Sequence, residues 1–383
     1  MLRRNCNHLN MKHIALYFML GAVALAAPGC GRRAERPATT PKDQVIAQLQ
    51  EAVNGGKILY AHQDDLVYGH TWKVEDVAGD PLERSDVKAV TGFYPAMVGF
   101  DLGGIEMGWE ANLDGVPFDL MRRAAVTHAS RGGIVTFSWH PRNPLIGGDA
   151  WDVSSDQVVA SILEGGEKHD LFMEWLRRAG DFLASLKDAD GRPVSFILRP
   201  WHEHIGSWFW WGGRLCSEQQ YKDLFRLTHD YLTVTRGLTD IVWCYSPNSG
   251  ISPQQYMSRY PGDDCVDILG MDAYQYVGDQ PLEDAETAFV AQVRDHLAFM
   301  KDLAQEHGKL MCLSETGFEG IPDPAWWTGT LLPAIQDFPI AYVLTWRNAH
   351  DKPEHFYAAW PGSGDEADFK AFAEKDNILF LNE

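Results

Sequence analysis

Two glutamates raise the first chemical question. Glu203 stands in "RPWHEHIGSWFWWG" (199–212) and Glu315 in "LSETG" (313–317), each at the polar end of an apolar run. A buried core has no use for a carboxylate, and a solvated loop has no use for the four aromatics from Trp208 to Trp211. Paired carboxylates across one opening are what cleavage of a glycosidic bond requires. One protonates the departing oxygen, and the other stabilises or attacks the positively charged anomeric carbon. A gap of about 5–5.5 Å gives a covalent intermediate and retention, whereas a wider gap admits water and inverts. Either glutamate alone reads equally well as a helix cap or an ion-pair partner. The pair, set among aromatics, points to chemistry.

The aromatics fit the same chemistry, because sugar rings present flat C–H faces to indoles. Trp208, five residues after Glu203, and Trp346 in "LTWRN" (344–348) are the expected walls. Two of Trp208, Phe209, Trp210 and Trp211 are expected to belong to the core. Trp326 and Trp327 either extend the cleft or pack beneath it. His62, His140 and His202 are expected to hold sugar hydroxyls or to orient a glutamate. Tyr274 can donate its hydroxyl to Glu315 and keep that carboxylate ionised and aimed. Arg199 offers the same support or a structural ion pair. The carboxylates fill the acid and base roles, so no cofactor is expected. A metal-dependent hydrolase improvising ligands from His62, His140 and His202 is the competing enzyme class, and no CxxC or Cys/His spacing supports it. A carbohydrate-binding protein without turnover is the competing non-enzyme class.

Such residues need a frame that gathers strand ends. Apolar, β-branched runs occur at 57–63, 96–102, 133–140, 194–203, 240–248, 266–274, 310–317 and 340–348, mostly without strict alternation, as parallel strands buried on both faces require. Stretches of helical period lie between them, at 43–53, 117–131, 170–188, 217–233 and 286–307. Eight buried strands separated by helices predict one (β/α)₈ TIM barrel over 42–383, with its chemistry at the carboxyl ends of the strands. An open doubly wound sheet is the alternative. The first strand is followed by "YAHQDDLVYG" rather than a glycine-rich phosphate loop, so nucleotide binding has no support. The polar ends are His62, Asp101, His140, His202, Glu203, Asn248, Asp272, Tyr274, Glu315 and Trp346.

The formal charge of −20 repels phosphate backbones and disfavours nucleic acid. Residues 1–29 read as a signal peptide, with small residues before Cys30 resembling a lipoprotein processing site and 30–41 a flexible tether. Met11, followed by Lys12, is the alternative start to Met1. Removing 1–29 deletes Arg3, Arg4 and Lys12 and no acid, moving the charge from −20 to −23. The expected product is an exported monomer, anchored only through a lipid on Cys30 and facing the periplasm or cell surface, or else secreted after ordinary cleavage with Cys30 incidental. A Cys216–Cys265 disulfide is open.

With these motifs in hand, the chain resembles glycoside hydrolase family 26, known best for retaining β-mannanases of clan A. The resemblance covers most of 42–360 and rests on "RPWHEHIGSWFWWG", "AHQDDLVYG", "TFSWHPRNPL", "GMDAY", "LSETG" and "LTWRN". It implies a (β/α)₈ barrel cleaving β-1,4-mannosidic bonds by double displacement. By the same resemblance Glu203 matches the acid/base and Glu315 the nucleophile. His140, His202, Trp208, Tyr274 and Trp346 match residues around the reacting sugar. "HEHIG" departs from the Met-Asn that many members carry after the glutamate, leaving the subsite beside His204-Ile205 open. Lichenases and β-1,3-xylanases share the family, so the glycan stays open too. The long loop 141–156 after the third strand suggests a wall that favours chain-end release of mannobiose, with internal cutting as the alternative.

Overall fold

The alternating apolar runs form eight parallel strands that close on themselves in the computed structural model, which describes residues 39–74 and 81–381. The strands are β1 (Ile58–Gln63), β2 (Met97–Asp101), β3 (Ile134–Trp139), β4 (Phe196–Pro200), β5 (Ile241–Tyr245), β6 in two pieces (Ile268–Leu269 and Asp272–Gln275), β7 (Leu310–Phe318) and β8 (Ile340–Thr345). Each pairs with the next. Closure comes from β1, which pairs with β8 through Leu59↔Tyr342 to His62↔Thr345 and with β2 through Ala61↔Met97. This is the expected (β/α)₈ barrel, and the open sheet is excluded.

The signal segment and Cys30 lie outside the described residues. The expected tether ends earlier than position 41, because Thr40 caps α1 (Pro41–Asn54). Its hydroxyl accepts from the Asp43 N–H at 3.1 Å, and the Asp43 carboxylate accepts from the Thr40 N–H at 3.1 Å.

Two apolar layers result from strand alternation. Leu59, Ala61, Met97, Ile134, Ile197, Val242, Ile268 and Leu344 fill the barrel interior, joined by Leu49 and Ala52 of α1. Ile58, Tyr60, Val98, Phe100, Phe137 and Leu198 face outward, in one cluster with residues of α2 (Phe118–Ser130), α3 (His169–Ala184), α4 (Glu218–His229) and α5 (Leu282–His307). The inward positions turn polar toward the carboxyl ends: Gln63, Asp101, Ser138, Arg199, Ser246, Asp272 and Ser314 are all buried there. The polar floor of the site is therefore a continuation of the barrel's own inward face.

All four cysteines of the barrel are buried free thiols, so no Cys216–Cys265 bridge is formed. Cys216 instead donates its thiol to the Trp211 carbonyl at 3.3 Å and accepts from Arg259 at 3.3 Å.

Candidate active site

Glu203 lies past the end of β4, which stops at Pro200. Trp201 (φ 57°) and Glu203 (φ 53°) then take left-handed backbone. Such conformations cost about 1–3 kcal/mol each in non-glycine residues and persist only where their surroundings hold them. The surroundings are specific. The Trp201 indole is buried against Trp139, Phe172, Trp210 and Trp211 and donates to Thr228 at 3.1 Å. The Glu203 N–H donates to the Ser246 carbonyl at 2.9 Å, just beyond β5. Gly206 N–H closes the turn on the Glu203 carbonyl at 3.1 Å and on the Asn248 side chain at 2.7 Å.

Glu315 reaches the mouth through an irregularity. The register of β7 against β8 shifts between Leu313 and Thr316. Ser314 and Glu315 then both find partners at the site, as a bulge allows and strict alternation does not. Ser314 Oγ donates to Asp272 at 2.7 Å. Glu315 accepts from the Tyr274 hydroxyl at 2.8 Å and from the Arg199 guanidinium, whose other arm holds Asp272 at 2.9 Å. Burial, then the Glu315 charge, pushes the Tyr274 hydroxyl well above its ordinary pKa, so it remains a donor. The expectations for Tyr274 and Arg199 are met in geometry.

One carboxylate oxygen each from Glu203, Asp272 and Glu315 lie within 4.8 Å of one another. That is the narrow spacing of a retaining pair rather than the wider gap that seats an attacking water. Burial, reinforced by the Glu315 charge, pushes the Glu203 carboxyl up to about 7. Arg199 and Tyr274 donate to Glu315, and nothing comparable serves Glu203, whose side chain accepts from Trp208 Nε1 at 2.6 Å. The two carboxyls thus sit in different environments: Glu203 is a proton donor near neutrality, and Glu315 is aimed by an arginine and a tyrosine.

His202 Nε2 lies 4.0 Å from Glu315 and 3.1 Å from His140 Nε2, while His140 Nδ1 lies 2.6 Å from Asp101. Burial, with the Arg199 charge, holds His202 well below its ordinary pKa, so it is neutral. His140 also lines a cavity of about 370 Å³ with Trp151, Trp346, Arg347, Asp351 and His355. Trp346 stands beyond β8, packs on the barrel interior and lines the same cavity.

Trp208 is 43% exposed, whereas Phe209, Trp210 and Trp211 are buried, so three of the four aromatics serve the core. Trp326 and Trp327 are fully buried, donating to Gln275 and Asp365 at 2.7 Å each, and pack beneath the surface. His204 is fully buried between the rings of Tyr221 and Tyr245, so this departure from the family pattern does not line the mouth.

His62 is the expectation the structure does not bring to the site. It shares the outward face of β1 with Ile58 and Tyr60, is fully buried, and turns its Nδ1 to Asp65 at 3.1 Å. Alternation of a single strand decides this, and Gln63 takes the inward place. His62 consequently does not converge with His140 and His202. The one cluster of potential metal ligands among the described residues is the Glu203, Asp272 and Glu315 group.

Sequence reading left Asp272, Asp101, Trp151 and Arg347 without roles. Asp272 carried a signal, lying two positions before Tyr274 on the same strand face. Asp101 and Trp151 carried none beyond a polar strand end and a loop indole.

Fold and site together define a barrel with a paired-carboxylate centre at the carboxyl-terminal mouth, the arrangement of a retaining glycosidase. Residues 36–311 match the model of glycosyl hydrolase family 26. The chain belongs to this family. The matched segment includes Glu203 and stops before Glu315, whose placement rests on the geometry above. The chain is 44% identical to a family 26 β-mannanase structure from Bacteroides ovatus, over 89% of this chain and 95% of that one, with a TM-score of 0.83. The catalytic domain of a family 26 endo-β-1,4-mannanase from Bacillus sp. JAMB-750 is 31% identical over 90% and 92%, with a TM-score of 0.79. A mannan endo-1,4-β-mannosidase of Bifidobacterium adolescentis is 31% identical over 85% of this chain. The chain spans 35% of that relative and 56% of a Bacillus subtilis mannan endo-1,4-β-mannosidase.

Proposed function

We propose that this protein is a retaining glycosidase that hydrolyses β-1,4-mannosidic bonds. The observation carrying this reading is the carboxylate pair within 4.8 Å, one member pushed up to about 7 and the other anchored by Arg199 and Tyr274. In the first step a Glu315 oxygen bonds to the anomeric carbon as the glycosidic C–O bond breaks, and the Glu203 proton goes to the departing oxygen. In the second step water gives a proton to Glu203 and its oxygen displaces Glu315 from the same carbon. The choice of mannan is supported by the names of relatives that match most of this chain.

Glu315→Ala and Glu203→Ala test the reading on linear mannan, galactomannan, mixed-linkage glucan and β-1,3-xylan. Both lower turnover on mannan by orders of magnitude while the thermal transition is kept. Near wild-type rates from either variant would sink it, and a preference for another glycan would reassign the substrate.

The loop 141–156 supplies Trp151, which stacks on His140 with ring centroids 5.3 Å apart in the cavity wall. That contact supports chain-end release of mannobiose, and a ladder of mixed oligosaccharides at early times would establish internal cutting instead. Export on a lipid at Cys30 is the companion proposal, supported by residue pattern alone. Cys30→Ser should release the protein from the membrane fraction, and unchanged membrane association would refute the anchor.

A further inference from the structure

Asp101 makes its side-chain hydrogen bonds to Gly103, Ser138 and His140, and through His140 they reach toward Glu315. Its carboxylate is fully buried and takes four donors. Oδ1 accepts from the Gly103 N–H at 2.7 Å and the His140 N–H at 3.2 Å. Oδ2 accepts from Ser138 Oγ at 2.6 Å and faces His140 Nδ1 at 2.6 Å. Burial raises the Asp101 carboxyl, but His140 and these donors outweigh it and hold it below its ordinary value. An ionised carboxylate only accepts, so the hydrogen between it and His140 belongs to Nδ1.

The consequence passes to the next ring. Burial lowers the His140 imidazole, but the Asp101 carboxylate outweighs it and raises the ring above its ordinary value. Once pH exceeds that raised value, the neutral ring keeps its hydrogen on Nδ1 and presents a bare lone pair at Nε2, which faces His202 Nε2 at 3.1 Å. Two lone pairs cannot make that contact, so the hydrogen lies on His202 Nε2. The opposite arrangement would put the His202 hydrogen on Nδ1, which is buried and has no hydrogen-bond partner. An orphaned buried N–H is the costlier of the two states. His202 Nε2–H is then the group 4.0 Å from Glu315.

We propose that Asp101 is a positioning residue which, through His140, holds His202 as an Nε2–H donor beside the nucleophile. Its effect on turnover rests on the glycosidase reading; the tautomer assignment does not. Its hydrogen points at His140 Nε2, so at 4.0 Å the His202 N–H acts on Glu315 as a nearby dipole rather than a hydrogen bond, and a bare nitrogen in its place would repel the carboxylate.

Asp101→Asn gives a discriminating perturbation. The amide oxygen keeps the two backbone N–H donors, and the amide nitrogen then faces His140 Nδ1. His140 is forced to carry its hydrogen on Nε2, and His202 must move its own to the unpartnered Nδ1. Asp101→Ala removes the constraint without reversing it. The expected result is a kcat loss of about tenfold to a hundredfold in Asp101→Asn, larger than in Asp101→Ala, with KM little changed. Asp101→Ala being the worse of the two would overturn the proposal and show a packing role only, as would wild-type kcat in Asp101→Asn.

A second measurement needs neither turnover nor a folded variant. Nitrogen-15 histidine spectra of the unaltered protein, recorded above the pH at which His140 loses its second proton, should show His140 protonated at Nδ1 alone and His202 at Nε2. The reverse tautomers would overturn the assignment. Correct tautomers in a protein that cleaves no glycan would fault the glycosidase reading alone.

Discussion

The acidity of Glu203 can be read as stability, without any substrate. Burial and the Glu315 charge raise its carboxyl from 4.5 to about 7. Between those values the folded chain holds a proton that the unfolded chain has released, so the unfolded state binds fewer protons and stability falls as pH rises. This contribution is fully present below about 4.5 and lost once pH passes about 7. Glu203→Gln removes the titration and keeps a carbonyl to accept from Trp208 Nε1. The full shift would be worth about 3 kcal/mol. Glu203 is partly open to solvent, so screening reduces this to roughly 1–2 kcal/mol. Urea denaturation of both proteins from pH 5 to 9 should show a gap that widens with pH in favour of Glu203→Gln and levels off above about 7. In a chain of this size the corresponding Tm difference is about 1–3 °C. A gap independent of pH, or one that closes as pH rises, would refute the assignment of the raised carboxyl to Glu203.

The Trp208 indole donates to Glu203, and this contact lowers the carboxyl's pKa against the larger effect of burial. Trp208→Phe should therefore move the alkaline limb of the kcat/KM profile to higher pH; a limb that stays in place would show that Trp208 does not set the acidity. The losses in Glu203→Ala and Glu315→Ala, the ordering of the two Asp101 variants and the release of Cys30→Ser stand with the readings that motivate them.

Much of the frame was legible because each barrel strand is a short apolar run. All eight runs are strands, and the helices between them follow their 3.6-residue period. The two glutamates were legible because charge at the end of such a run has no structural use. What failed was local. His62 sits at a polar strand end like His140, but the face on which a strand end points follows from parity along the strand, and continuous apolar runs hide parity. The apolar run predicts Glu203 as the last residue of a strand, because no signal in "RPWHE" announces left-handed backbone at Trp201 and Glu203. The bulge that re-aims Glu315 is equally silent, since it arises from how β7 pairs with β8. Tertiary partners made by residues far apart in sequence, such as Arg199 with Glu315, lie beyond any local pattern.

The acid/base turn hangs from a neighbour: its N–H is clamped by Ser246, and Gly206 within it by Asn248. Transplanting the segment 199–212 into another barrel would thus carry the side chains and lose their aim. A working graft must take 246–248 as a unit with it, and homologous recombination between relatives should tolerate crossovers before residue 199 or after 248 far better than between them.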